Sequence, residues 1–134
     1  RLASDAPSAQ LLAEASGVGA LATIAALRDG QDWLSEVRTY SRANRDALGE
    51  ALAGAEGIEP TLPEATYLAW LDCRGLDLEQ PARYFREEAG VAMNEGTTYG
   101  KAWSGFCRLN LATGRGIAAR IAQRLVEAIR VPRA

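Results

Sequence analysis

The chain has no histidine, one lysine (Lys101), two cysteines (Cys73 and Cys107) and one methionine in 134 residues. Without histidine, neither a Ser-His nor a Cys-His nucleophile can be assembled, and no histidine-ligated metal site is possible. Two cysteines are too few for a disulfide scaffold; both lie in or beside apolar segments, where reduced, buried thiols are expected. No glycine-rich dinucleotide or phosphate-loop signature stands in the required strand–helix context. An excess of either charge is also missing, since 15 basic against 17 acidic residues give a formal net charge of −2. The charges are interspersed, and Arg115, Arg120 and Arg124 fit the flank of one helix, so nucleic acid is not an expected partner. The uncharged run 15–27 is 13 residues long, short of the roughly 20 that a membrane span requires. No signal-peptide pattern opens the chain, which makes the cytoplasm the default location. A complete enzyme is usually richer in reactive side chains; this composition reads as part of one.

What is present suits an ordinary globular domain, with 48% hydrophobic and 24% charged residues. Residues 1–8 are polar enough to be loop. A small-residue helix is expected over 9–27, apolar on nearly all sides and therefore pressed between two bodies of protein. Asp29-Gly30 closes it, and Asp32 is the expected N-cap of a longer helix. There Trp33, Val37, Tyr40, Ala43 or Asn44, Ala47, Leu48, Ala51 and Leu52 recur at helical spacing, up to Gly54 and Gly57. Extended segments are expected at 58–60, 66–72, 91–95 and 106–112, with helices over 78–89 and 116–130 and a glycine-rich loop over 96–105. The last helix is expected to turn Ile117, Ile121, Leu125, Val126 and Ile129 to a core, and Trp33 and Trp70 are expected to be core residues. This order predicts an α+β fold: a small, mostly antiparallel sheet of three to four strands, helices packed on one face, preceded by a long interdomain helix.

Two of the extended segments carry the most information. The first is Pro63-Glu64-Ala65-Thr66-Tyr67-Leu68-Ala69-Trp70-Leu71-Asp72. The second, Gly105-Phe106-Cys107-Arg108-Leu109-Asn110, sets one arginine in an apolar run. A guanidinium is too costly to bury without an anionic partner. Arg108 therefore needs either a structural ion pair, with Glu64, Asp72 or Glu95, or a ligand carboxylate or phosphate. Its planar fork of donors matches a carboxylate and fixes orientation as well as charge.

These segments, in this order, resemble the C-terminal end of the pyridoxal-phosphate-dependent class I and II aminotransferases of fold type I. They are most similar to the cystathionine beta-lyase-like C–S lyase branch. The resemblance rests on the G-F-x-R-L-N form at Gly105–Asn110, on Ala26-Leu27-Arg28-Asp29-Gly30-Gln31-Asp32-Trp33-Leu34, on Asn44-Arg45-Asp46-Ala47-Leu48, and on the stretches 63–74 and 90–100. Each piece is only moderately specific, whereas the ordered set spans nearly the whole chain.

The resemblance implies residues 1–28 as a loop and interdomain helix at the junction with a large domain, and 29–134 as the small C-terminal domain. It makes Arg108 the clamp for the substrate α-carboxylate. Tyr99 and Thr66 become candidates for shaping the substrate pocket, and Asn110 is expected either to orient Arg108 or only to satisfy backbone groups. Pyridoxal 5′-phosphate is the implied cofactor of the full-length enzyme, not of this chain alone, because the Schiff-base lysine is expected upstream of Arg1. Lys101 reads as a loop residue. No catalytic, cofactor-binding or metal-binding residue is thus expected in this chain. The implied partners are an amino-acid substrate, the large domain and a second subunit of a homodimer. The implied reaction is β-elimination to thiol, pyruvate and ammonia, or transamination. A non-catalytic binding or dimerisation module is the alternative.

Overall fold

The computed structural model describes residues 16–131. The chain divides into two compact units, at Arg38 and Thr39.

The first unit holds helix α1, Gly17–Asp29, and the start of α2, Gln31–Leu52. Ser16 caps α1, its Oγ accepting from the Gly19 amide, and the Gly30 amide donates to the Ala26 carbonyl at the other end. The part of the expected helix before Ser16 lies outside the described residues. No residue of α1 is buried: Val18, Leu21, Ile24 and Leu27 are 58–78% exposed. Helix α2 starts one residue before Asp32, so Asp32 is not its N-cap but an acid in its first turn, where it favours the helix dipole. Trp33 is 68% exposed and is not a core residue of this chain.

The second unit is an antiparallel sheet covered by helices on one face. Its strands are β1 (Glu59–Thr61), β2 (Leu68–Asp72), β3 (Asn94–Glu95) and β4 (Phe106–Asn110), in the order β1-β2-β4-β3. Helices α3 (Pro81–Glu88) and α4 (Arg115–Arg130) complete it with the C-terminal part of α2. Strand alternation decides the layering. Ala69, Leu71, Cys107 and Leu109 point to one face and are essentially fully buried, packed in one core with Leu48, Leu52, Phe85 and Leu125. Leu68, Trp70, Asp72, Phe106 and Arg108 point to the other face and stay half-buried.

The helices meet the sheet through smaller residues than the apolar spacing suggests. In α4 the buried positions are Ala118, Ala122, Leu125 and Ala128, while Ile121, Val126 and Ile129 are only partly covered and Ile117 is 46% exposed. In α2 the buried stripe is Asn44, Leu48 and Leu52, with Ala47 and Ala51 outside it. Asn44 is 3% exposed, and its Nδ2 donates to the carbonyls of Leu111 (3.0 Å) and Thr113 (2.9 Å). Those carbonyls lie just past β4, so the amide satisfies backbone that has left the sheet. At the other end Glu95 Oε1 accepts from the Arg83 amide at 2.9 Å, tying the first turn of α3 to β3.

The core also holds Cys73 and Cys107, both free, with their sulfurs 3.6 Å apart. The hydrogen bond with Cys73, followed by burial, pushes the Cys107 thiol far above its ordinary value.

Candidate functional site: the open face of the sheet

Pairing of the strands sets four side chains in one row across the open face. Thr61 stands opposite Trp70, Trp70 opposite Arg108, and Arg108 opposite Asn94. Cross-strand neighbours project from the same face with Cβ atoms about 5 Å apart. Arg108 is therefore flanked by an indole on one side and a carboxamide on the other.

The loop after β3 folds back over this row as two short 3-10 turns, Gly96–Tyr99 and Lys101–Trp103. Two glycines permit it. Gly96 packs so closely that a Cβ would collide with the carbonyl oxygens of Trp103 and Phe106. Gly100 takes φ 134° and ψ 149°, a region essentially closed to other residues. The result is an aromatic cluster. The Trp70 ring lies 5.6 Å from Tyr99, 5.2 Å from Trp103 and 5.9 Å from Phe106 between centroids. Trp70, expected in the core, is instead half-buried against this loop on the open face.

Arg108 has no ion pair among the described residues. Its Cζ sits 4.7 Å above the Tyr99 ring, and one terminal nitrogen donates to Asn94 Oδ1 at 3.2 Å. Its Nε is buried and has no hydrogen-bond partner. None of the three carboxylates that could have paired with it does so. Asp72 binds Arg74 at 2.6 Å, a hydrogen bond that holds its carboxyl below the usual range. Glu95 serves the α3 amide, and Glu64 is exposed. Leaving a buried donor unmade costs about 1–3 kcal/mol. A carboxylate placed on this face, met by the terminal nitrogens, would neutralise the charge.

The expected site residues separate into two places. Tyr99 meets Arg108 directly. Asn110 lies at the end of β4 opposite Leu68, and its Oδ1 accepts from the Ala112 amide at 2.8 Å. Its oxygen is spent on backbone, and the residue that holds Arg108 is Asn94. Thr66 precedes β2 with φ 69°, a strained value for a β-branched residue, and its Oγ1 accepts from the Leu68 amide. Thr66 and Asn110 thus occupy the end of the β2–β4 pair away from Phe106. Lys101 is exposed in its turn. A cleft of about 610 Å³ lined by Gly57, Glu59, Asp72 and Arg74 lies elsewhere and does not include Arg108.

Residues 5–125 match the family described as aminotransferase class I and II. The chain belongs to that family. It is 35% identical over 103 residues to the cystathionine beta-lyase of Corynebacterium glutamicum, a match covering 74% of this chain and 27% of that protein. It is 35% identical over 91 residues to the LL-diaminopimelate aminotransferase of Nitratidesulfovibrio vulgaris, covering 67% of this chain and 23% of that one. The crystal structure of the pyridoxal-phosphate-bound C–S lyase from Staphylococcus hominis superposes with a TM-score of 0.75 at 29% identity, covering 85% of this chain and 31% of that chain. The chain spans about 30% of the length of the first curated relatives it matches.

Proposed function

We propose that this chain is the substrate-carboxylate half of a pyridoxal-phosphate-dependent enzyme acting on amino acids. The reaction assigned to the full-length enzyme is cleavage of a β C–S bond: a thioether amino acid and water give a thiol, pyruvate and ammonia. The observation that carries this reading is Arg108, a guanidinium fixed on an open sheet face with its Nε unpartnered and no ion pair among the described residues. The C–S lyase relatives supply the choice of bond.

The cofactor, when bound, stabilises negative charge at the substrate α-carbon. The described residues do not fit its anchor. Lys101 is the only lysine and is exposed in a turn, without the enclosed setting that makes a lysine amine nucleophilic. We assign the anchoring lysine to a large domain upstream of Arg1, with 1–28 as the junction and 29–134 as the small domain. What this chain contributes is position. Arg108 binds the carboxylate through two parallel N–H donors, which fixes the rotation of the substrate about its α-carbon. Tyr99 supports the guanidinium from its face, Asn94 from its edge, and Trp70, Trp103 and Phe106 keep water from that side of the site. Thr66 and Asn110 are placed at the rim, where the substrate side chain or the large domain would pass.

Transamination is the second reading, favoured by the similarity to an aminotransferase. The exposed apolar side chains of α1 support burial against the large domain or a second subunit of a homodimer. No helix among the described residues is long and apolar enough to cross a membrane; we assign the enzyme to the cytoplasm.

The deciding experiment supplies the full-length enzyme with cystathionine and no keto acid. Equimolar thiol and pyruvate are expected. Turnover only after a keto acid is added, without thiol, would move the assignment to an aminotransferase. Failure of both assays across amino-acid substrates would overturn the reading.

A further inference from the structure

The four aromatic side chains of the open face form two layers. Trp70 and Phe106 belong to the strands, stack on each other at 5.9 Å and are half-buried. Tyr99 and Trp103 come from the loop after β3, lie edge-on to Trp70 at 5.6 and 5.2 Å, and remain 42% and 43% exposed. This outer pair is contiguous, since a Cβ at Gly100 would come within 3.7 Å of the Trp103 ring. It is also fixed: Trp103 is held a second time, edge-on to Phe106 at 5.3 Å, and Gly96 seats the loop against the backbone of Trp103 and Phe106. Arg108 rests its guanidinium over the Tyr99 ring, so the exposed apolar shelf begins at the clamp. Ring surface left open on a rigid support is ready to bind, because few side chains need ordering when a ligand arrives.

We propose that the shelf of Tyr99 and Trp103 receives the substrate side chain, and that the preferred substrates carry an aromatic or bulky apolar group on sulfur. The inference rests on the reading of Arg108 as the carboxylate clamp and names the substrate class of that same site. Only the α-carbon, the β-carbon and sulfur separate the carboxylate of such a thioether from its substituent. A substrate held at Arg108 by one end therefore has its other end within reach of rings that adjoin Arg108. There the substituent loses water-exposed apolar surface and meets aromatic faces and edges, which favours hydrocarbon and rings above all. The opposite end of the β2–β4 pair offers no such surface: the Thr66 and Asn110 oxygens are bonded to backbone amides. That rim is then left to the large domain.

The experiment measures competitive inhibition of the full-length holoenzyme by propionate and by phenylpropionate, which share the carboxylate and differ in the ring. Cofactor absorbance is recorded for every variant to confirm loading. Covering about one face of the phenyl group should make phenylpropionate roughly 5- to 20-fold the tighter inhibitor. Trp103→Ala should remove most of that preference, weakening phenylpropionate by about the same factor more than it weakens propionate. Trp103→Phe, which keeps a ring on the shelf, should restore most of it. Arg108→Ala should weaken both inhibitors alike. Equal inhibition by the two compounds in the wild type would overturn the proposal. So would a preference that survives Trp103→Ala, which would put the ring elsewhere, and so would equal weakening of both by Trp103→Ala, which would make the loop only a support for Arg108. In each of these cases the clamp stands as long as Arg108→Ala weakens both inhibitors; if it weakens neither, the clamp itself falls and the shelf with it.

Discussion

The guanidinium of Arg108 lies over the Tyr99 ring, its Cζ 4.7 Å from the ring centroid, while one terminal nitrogen is held by Asn94. The cation is thereby oriented by a π face and a neutral amide, neither of which cancels its charge. An arginine kept for stability would gain more from one of the nearby carboxylates. Asp72 and Glu95 are instead committed to Arg74 and to the first turn of α3. The full charge of Arg108 is left for something that arrives.

Replacing Arg108 by alanine in the full-length enzyme should therefore act on substrate and not on cofactor. Loss of a charged hydrogen-bonding partner is worth about 1.5–3 kcal/mol, or roughly 10- to 150-fold. The expected outcome is a KM for the amino acid raised within that range, with cofactor absorbance retained. An unchanged KM would remove Arg108 from the site.

Asn94 should matter less, and by a different route. It bonds one terminal nitrogen of Arg108 at 3.2 Å and does not carry charge. Asn94→Ala removes an edge restraint worth about 0.5–1.5 kcal/mol. KM is expected to rise about 2- to 10-fold, and Asn94→Asp should restore orientation yet weaken carboxylate binding by adding a like charge. Steady-state kinetics with both variants separate the two effects; an Asn94→Asp enzyme that binds substrate as well as wild type would contradict the arrangement.

Arg108 was legible in the sequence because a lone cation in an apolar run is physically conspicuous. Asn94 was not. Its role depends on the register between β3 and β4, and a two-residue strand carries no periodicity from which register could be read. The layering of sheet and helices followed from alternation in β2 and β4. The faces of α2 and α4 did not, because alanines serve equally on a packed or a solvated face, and Ala118, Ala122 and Ala128 turned out to be the packed ones. Trp33 was misjudged for a related reason. Large apolar residues on α1 and early α2 cannot be assigned to a core until the body that covers them is known. Asn44 sat within the apolar stripe as an ambiguous position, and only the departure of residues 111–113 from the sheet shows why an amide is needed there.

That amide supports a stability prediction. Asn44→Ala leaves the Thr113 carbonyl without its donor and the buried Leu111 carbonyl with only the Thr113 amide. A cost of about 1–3 kcal/mol follows from the acceptor left unsatisfied, with a further contribution from the small cavity. Urea unfolding should show a lower midpoint with little change in slope. Asn44→Leu, which fills the space but cannot donate, should not recover the loss; full recovery would mean that packing, not hydrogen bonding, matters at this position.

The thiol pair supplies a prediction about pH. Cys107 has its proton held by the hydrogen bond with Cys73 and by burial, so its native pKa lies well above that of an unfolded thiol, about 8.5. A group whose pKa is raised by folding contributes stability that is fully present below the unfolded value. That contribution is lost as pH rises from about 8.5 toward the native value, because the unfolded chain sheds a proton the native chain keeps. The slope is about 1.4 kcal/mol per pH unit for one thiol. Cys107→Ala removes this dependence at the cost of a cavity in a position with no exposed surface. Measured from about pH 8.5 to pH 10, the unfolding free energy of the wild type should fall more steeply than that of the variant, by close to one proton's worth. Groups remote from the sulfur pair are common to both chains and cancel in the difference. Parallel slopes would show that the Cys107 thiol ionises in the folded protein as readily as in the unfolded one, and that the sulfur pair is not the sealed contact the geometry describes.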